Sequence, residues 1–241
     1  STRWPLTRKV VRHFTGHDPV PILRRRRAKL LDEHYAFSHR YSSLRSDRIL
    51  WEAHAGAGMT CNPLALFERL IERADLNEGL THFWVIDDEM EQRRLYGRYG
   101  PRTALNFVQR DSLEYRHVLA TAGTLIVNTS LPACFSKRPG QRILNTWHSI
   151  TVKTIGLDLP DGRLESRNMI RSLMATDILL APNQWMADLM ERVFRLDNLY
   201  RGSILVDDYP RTELTSSRPD SVMEELGDRG IDFDPSKQTV L

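Results

Sequence analysis

From residue 48 onward, short apolar runs alternate with longer stretches in which apolar positions recur every three or four residues. A chain that switches repeatedly between these two periods builds strand–helix–strand units and a parallel sheet. The runs predict strands near 49–53, 82–86, 104–108, 124–127, 142–147, 177–181 and 203–206, with helices in most of the gaps. The clearest helix is 63–74: Pro63 suits a first turn, and Leu64, Phe67, Leu70 and Ile71 share a face with Arg and Glu opposite. A second is 183–194, where Asn183 can cap and Trp185, Met186, Leu189, Met190 and Val193 form the apolar stripe. Aromatics and methionines at that spacing read as core rather than as a cofactor box. Thr215 to Ser221 reads as a surface connection, with a short helix at 221–227 and the opening of another strand at Lys237 to Leu241. The expected fold class is α/β, a parallel sheet with helices on both faces.

Composition adds limits. With 241 residues, 41% of them hydrophobic, the chain can bury a real core in one large α/β domain or two small ones. Cys61 and Cys134 cannot make a disulfide framework, and no Cys/His cluster has zinc spacing, so a reducing, cytoplasmic setting fits. Neither a signal peptide nor a spanning helix is expected, because no apolar h-region and no run of 18 uncharged apolar residues is found.

The net charge of +3 is unevenly distributed. Residues 1–47 hold eleven Lys or Arg against four Asp or Glu, a net +7, which leaves 23 against 27, a net −4, for the remainder. The basic stretch includes Arg24, Arg25, Arg26 and Arg27, with Trp4, Val10, Val11, Phe14, Ile22 and Leu23 interspersed among the charges. Basic clusters beside apolar residues are drawn to anionic headgroups, so docking on an anionic membrane surface is one expectation. The other is a solvated helical linker with a charged face. Nucleic-acid binding is disfavoured, since the rest of the chain is acidic and no base-stacking motif recurs.

The candidate chemistry centres on Asn145 to Gly156. Arg142, Ile143 and Leu144 lead into a buried strand, His148 leaves its carboxyl end, Lys153 follows five residues later, and Gly156 permits a tight turn. Open α/β sheets keep their ligands at that end, and a group titrating near neutrality beside a fixed cation suits phosphate-bearing substrates. The plainer alternative is a core histidine and a surface lysine. Gly56 and Gly58 lie between the first strand and the first helix, where a backbone could approach a phosphate, or where they could simply make a turn. The third glycine of a dinucleotide fingerprint is missing, which argues against NAD. His54 ends the first strand and could line the cleft or cap the strand, whereas His82 and His117 read as structural. Asp87, Asp88 and Glu89, and Asp207 with Asp208, read as surface loops, so metal-independent chemistry without a cofactor is expected.

Trp147, His148 and Lys153 match the Trp-His-Gly-Thr-Pro-Leu-Lys signature of the CDP-glycerol:poly(glycerophosphate) glycerophosphotransferases, with Ser149 in place of glycine and Val152 and its neighbours in place of Thr-Pro-Leu. Tyr209, Pro210 and Arg211 resemble the family's Gly-Tyr-Pro-Arg-Asn-Asp turn, with Asp208 for glycine. Ala175 to Asn183 resembles the preceding strand, and Ile49 to Pro63 the opening strand and glycine loop, keeping Asn62 and Pro63 while Cys61 replaces an aspartate. The likeness runs in order over roughly residues 48 to 241.

The resemblance implies a Rossmann-like acceptor lobe, the N-terminal half of a GT-B architecture, spanning residues 48–235 after a basic helical arm at 1–47. Residues 236–241 would begin a second lobe that holds most of the CDP-glycerol donor, so the chain alone is expected to be inactive. The implied reaction moves glycerol phosphate from CDP-glycerol to a hydroxyl of a polyol-phosphate or glycan acceptor at the cytoplasmic face of the plasma membrane. His148 would be the general base, Lys153 and Arg211 would meet phosphate oxygens, and Gly56, Gly58, Asn62 and His54 would line the substrate cleft. Two other classes stay open: a non-catalytic module that binds anionic polymer or membrane, suggested by the lost glycines at 149 and 208, and a GT-B transferase of a sugar or ribitol phosphate.

Overall fold

The computed structural model describes residues 19–150, 154–161, 164 and 166–217. A long helix, α1 (Pro19–Tyr41), leads into β1 (Arg45–Glu52) and α2 (Cys61–Glu72). Then come β2 (Thr81–Val85), α3 (Glu89–Tyr99), β3 (Ala104–Val108), α4 (Leu113–Thr121), β4 (Ala122–Val127) and β5 (Arg142–Asn145). The chain continues through α5 (Arg167–Met174), β6 (Ile178–Ala181), α6 (Gln184–Phe194), β7 (Ser203–Val206) and α7 (Pro210–Ser217). All seven strands are parallel and lie in the order β3-β2-β1-β4-β5-β6-β7. This is the doubly wound, Rossmann-like sheet, and its order reverses between β1 and β4, the place where such sheets open a crevice beyond the strands' carboxyl ends.

The centre of the sheet is buried on both faces because alternate strand residues feed two separate cores. Leu50, Val85, Leu125, Val127 and Ile143 pack with Tyr115, Val118 and Leu119 of α4 on one side. Ile49, Trp51, Trp84 and Ile126 pack with Phe67 and Ile71 of α2 and Leu95 and Tyr99 of α3 on the other. Trp51 stacks on Trp84 at 5.6 Å, and the edge of Phe67 meets both indoles, an arrangement that suits the aromatic quadrupoles. A third apolar cluster joins β6 to α6 and includes Trp147 and Tyr209.

The strands predicted from the pattern are all present, most of them displaced by one to four residues. Strand β1 begins at Arg45, ahead of the boundary expected at 48. The basic helix that precedes it is no free arm: Leu31, Tyr35 and Ser38 bury one stripe against the lobe. The Tyr35 hydroxyl donates to the Ser136 carbonyl at 2.9 Å, Ser38 Oγ lies 3.2 Å from His117 Nδ1, and Arg116 reaches Asp32 at 3.5 Å. Asn183 caps α6 by accepting from the Met186 amide, as its position suggested, but Trp185 of the expected stripe is exposed; Ala187 and Phe194 take their places in the core with Met186, Met190 and Val193. Thr215 to Ser217 continue α7 instead of forming a connection, and the expected helix at 221–227 and strand at 237–241 lie outside the described residues. Asp87 and Asp88 lie in the loop after β2, where Asp88 caps α3 and Asp87 accepts from the amide of Arg110 in the loop after β3, while Asp207 and Asp208 are exposed after β7.

His82 belongs to the aromatic core. Trp51 Nε1 donates to its Nδ1 at 3.0 Å, so Nε2 carries the proton and lies 2.7 Å from Asn77 Oδ1. Burial pushes its pKa down to about 4. The folded protein thus holds a neutral ring that the unfolded chain would protonate below the ordinary value of 6.5. Stability from this group is therefore full above that value and falls as the pH drops from about 6.5 toward about 4, by roughly 3 kcal/mol at 1.36 kcal/mol per unit. Urea titrations across that range check the fall, and His82→Gln should remove most of this group's share of it.

Candidate functional site

Three strands that are neighbours in the sheet, β1, β4 and β5, deliver the site. After β1 the chain turns back on itself through His54, Ala55 and Gly56, with φ of 46°, 57° and 89°. A Cβ on Gly56 would stand 3.1 Å from Val85, so both its conformation and its space call for glycine; Gly58 faces open space. After β4, Asn128 is fully buried. After β5, Thr146 extends the ladder by donating to the Val127 carbonyl at 2.8 Å, and Trp147 then takes a left-handed φ of 49° that swings His148 out of the strand direction. Asn145 Oδ1 accepts from the Trp147 amide at 2.9 Å and stabilises the reversal.

Asn62, in the first turn of α2, reaches across to this reversal. Its Nδ2 donates to the carbonyls of Thr146 at 3.1 Å and Trp147 at 3.2 Å. The Trp147 carbonyl also accepts from the Thr146 hydroxyl, at 3.2 Å, and the double contact of Asn62 holds the exit of β5 closed. Among the described residues, five non-glycine positions have positive φ, and four of them (His54, Ala55, Cys61 and Trp147) lie in these two segments. Such strain persists only where surrounding contacts over-determine it, and it gathers at working sites.

His148 is half-buried, and its Nδ1 lies 2.8 Å from the Asn128 carbonyl. A carbonyl only accepts, so Nδ1 carries the proton and Nε2 of the neutral ring is left as a proton acceptor. The His54 ring stands edge-on to it, with centroids 5.4 Å apart and planes at 80°. Partial burial, and then the neighbouring charges of His148 and Arg211, hold the His54 pKa below its ordinary value.

Arg211 arrives from α7, where Pro210 begins the helix after the β7 loop. Its Nη1 donates to the His148 carbonyl at 2.7 Å and lies 2.9 Å from Cys61 Sγ, while its guanidinium sits 4.8 Å from the Tyr209 ring. The Tyr209 hydroxyl in turn donates to the Ser149 carbonyl at 3.0 Å. The residues of the Tyr-Pro-Arg turn therefore brace the His148 loop from outside. Neither Ser149 nor Asp208 is at a positive φ, so both replace a glycine without backbone strain; the left-handed residue is Trp147. That removes the backbone argument for a degraded site.

The structure thus brings His54, Asn62, His148 and Arg211 together, while Gly56 lies against Val85, Asp87 and Arg110, Gly58 faces open space, and Lys153 lies outside the described residues. Arg24 to Arg27 are exposed on α1, and Arg27 donates to the Asp111 carbonyl at 2.8 Å. Sequence reasoning missed Asn128, whose signal was a polar residue directly after the buried run of β4. It also missed Glu52, an acid closing the apolar run of β1. Burial raises the Glu52 carboxyl pKa against the opposing pull of Arg110, at 2.9 Å, and of the Tyr115 hydroxyl, at 2.6 Å.

The family model for CDP-Glycerol:Poly(glycerophosphate) glycerophosphotransferase matches residues 33–235. The chain belongs to this family. It is 24% identical over 172 residues to the teichoic acid poly(glycerol phosphate) polymerase of Bacillus spizizenii, covering 68% of this chain and 41% of that one. It is 24% identical over 177 residues to the teichoic acid glycerol-phosphate transferase of Staphylococcus aureus, covering 70% and 42%. Among solved structures, the wall teichoic acid polymerase TagF superimposes with a TM-score of 0.69 at 19% identity, over 99% of this chain and 56% of that one. The chain therefore spans less than half the length of these curated relatives and about half that of the structural neighbour.

Removing the Asn62 amide should cost stability at the site's base. Asn62→Ala takes a donor from the Thr146 carbonyl and leaves the Trp147 carbonyl to the Thr146 hydroxyl alone, and a loss on the order of 2 kcal/mol is expected. The check is a lower urea midpoint at unchanged slope; an unchanged midpoint would mean the clamp is dispensable.

Proposed function

We propose that this chain forms the acceptor-side lobe of a transferase that moves glycerol phosphate from CDP-glycerol to a hydroxyl of a polyol-phosphate or glycan acceptor, in the synthesis of teichoic acid or a related surface polymer. The observation that carries the reading is His148: a half-buried imidazole beyond β5 in a family member, with Nδ1 anchored on a main-chain carbonyl and Nε2 left to accept a proton. In the step, the acceptor hydroxyl gives its proton to Nε2 as its oxygen bonds to the glycerol-bearing phosphorus. The bond from that phosphorus to CMP breaks, and CMP leaves with the electron pair. A positioned base of this kind is worth roughly 10² to 10⁴ in rate.

In this reading Arg211 has two tasks. It braces the His148 carbonyl and brings positive charge to the rim, where Lys153 would add a second cation for phosphate oxygens. Gly56 and Gly58 would let the β1 loop approach the acceptor, and Asn62 would act from behind by holding the loop. The donor's nucleotide would be held mainly by sequence that the relatives have and this chain does not match, as in a two-lobed GT-B enzyme. The 241-residue chain by itself is accordingly expected to show little turnover.

The anionic membrane surface is the proposed location, at the cytoplasmic face. Leu23, Leu30, Phe37 and Tyr41 are exposed at heptad-like spacing along α1, on a stripe beside the one that packs on the lobe, with Arg26, Arg27 and Arg40 flanking them. Apolar side chains bordered by arginines suit an interfacial helix lying in the headgroup plane. Among the described residues no helix is long and apolar enough to cross a membrane.

Two measurements test these readings. In the full-length gene product, His148→Gln should lower turnover with CDP-glycerol by about 100-fold or more; a loss of a few-fold, at normal folding, would remove the base role. On vesicles containing phosphatidylserine, replacing Arg24, Arg25 and Arg26 with Gln should weaken partitioning by about 100-fold at low salt. Equal partitioning would point to a solvated helix instead.

A further inference from the structure

Asn128 commits its carbonyl and both polar atoms of its side chain to the two histidines. Its carbonyl accepts from His148, its Oδ1 accepts from the His54 main-chain amide at 2.8 Å, and its Nδ2 lies 3.4 Å from His54 Nε2. The amide contact decides the orientation of the side chain, because only an oxygen can face an N–H. Nδ2 must then face the His54 ring, and as a donor it requires a lone pair on Nε2. The neutral His54 ring consequently carries its proton on Nδ1, turned away from the anchored edge.

We propose that His54 is the second functional imidazole of the site, positioned by Asn128 as an Nδ1–H donor to a phosphoryl oxygen of the substrate, opposite the accepting Nε2 of His148. The inference rests on the reading of His148 as proton acceptor. One buried asparagine thereby sets two neighbouring rings to complementary tasks, one taking the proton of the attacking hydroxyl, the other donating a hydrogen bond to the oxygen where negative charge grows. His54 transfers no proton, so the balance of the step is unchanged.

Three further observations support this assignment. His54 is exposed even though its main chain and its Nε2 edge are both engaged with buried Asn128, so its other edge is open to a ligand. Its left-handed backbone, continued at Ala55 before Gly56 completes the turn, is held at a cost at two non-glycine positions. Its lowered pKa keeps the ring neutral near pH 7, the form in which a single, directed N–H exists. The order of β1, β4 and β5 in the sheet brings the three residues together; nothing in their separations of 74 and 20 residues along the chain would suggest it.

The first test reads the tautomers directly. Long-range proton–nitrogen spectra of the histidine-labelled 241-residue chain, with resonances assigned through His54→Gln and His148→Gln, should show both rings protonated at Nδ1 when neutral. In Asn128→Asp the side chain still accepts from the His54 amide but offers the ring only an acceptor. His54 should then move to the Nε2–H form while His148 stays unchanged. An Nε2–H His54 in the unaltered chain, or no response to Asn128→Asp, would overturn the proposal.

The second test is kinetic, in the full-length gene product. His54→Leu should lower kcat by about 100-fold, the usual effect of losing one aimed donor. His54→Asn, which keeps an N–H at the Nδ position, should recover at least tenfold of that, with the acceptor KM within about threefold throughout. Equal activity of the two variants, or a loss confined to KM, would refute the donor role. If His148→Gln proves mild while the His54 pattern holds, it is the proton-acceptor reading of His148 that falls.

Discussion

The site depends on how β5 is made to end. A parallel strand would run on past its neighbours, but here Thr146 closes the ladder on Val127 and the next residue turns left-handed, which costs a bulky tryptophan about 1 to 2 kcal/mol. Three asparagines make that turn tolerable. Asn145 accepts from the Trp147 amide, Asn62 donates to two successive carbonyls, and Asn128 receives His148. The Trp147 ring meanwhile is buried beside Phe194, so the strained residue is also an apolar anchor. The direction of His148 follows from these contacts.

The surrounding fold supplies the rigidity. Two apolar layers sandwich the sheet, and Phe67 of α2 packs on the Trp51–Trp84 pair, tying to the sheet the helix that carries Asn62. The Tyr-Pro-Arg segment then closes the site from the far edge, where α7 packs near α2 and Arg69 pairs with Glu213. Arg211 belongs to this buttress: a residue that the family motif suggests for substrate charge is a structural brace on the His148 carbonyl.

Much of the sheet was legible before any coordinates. All seven strands were visible as short apolar runs; at the centre of the sheet this is because a strand buried on both faces needs side chains of one kind throughout, whereas β7 is apolar yet largely exposed. The helix with Leu64, Phe67 and Ile71 was legible from its apolar stripe, and the one after Asn183 from its cap. Trp185 was misjudged because spacing alone does not say which edge of a stripe reaches the core. The basic helix also looked detached, since Leu31, Tyr35 and Ser38 are outnumbered by charges and its partner, α4, lies far along the chain. In the site, motif resemblance reached His148, Asn62 and Arg211, while Asn128 and Glu52 stayed hidden because a polar residue after a strand is common and its partners come from other strands.

By itself, then, the sequence determined the fold class, the strand order's raw material and the family, because hydrophobic periodicity and short motifs are properties of neighbouring residues. Tertiary structure decided which side chains meet, which ring nitrogen holds a proton, and that positions 149 and 208 carry no backbone strain while Trp147 does. Those outcomes depend on contacts between β1, β4, β5, α2 and α7, whose separation along the chain leaves no local pattern to read.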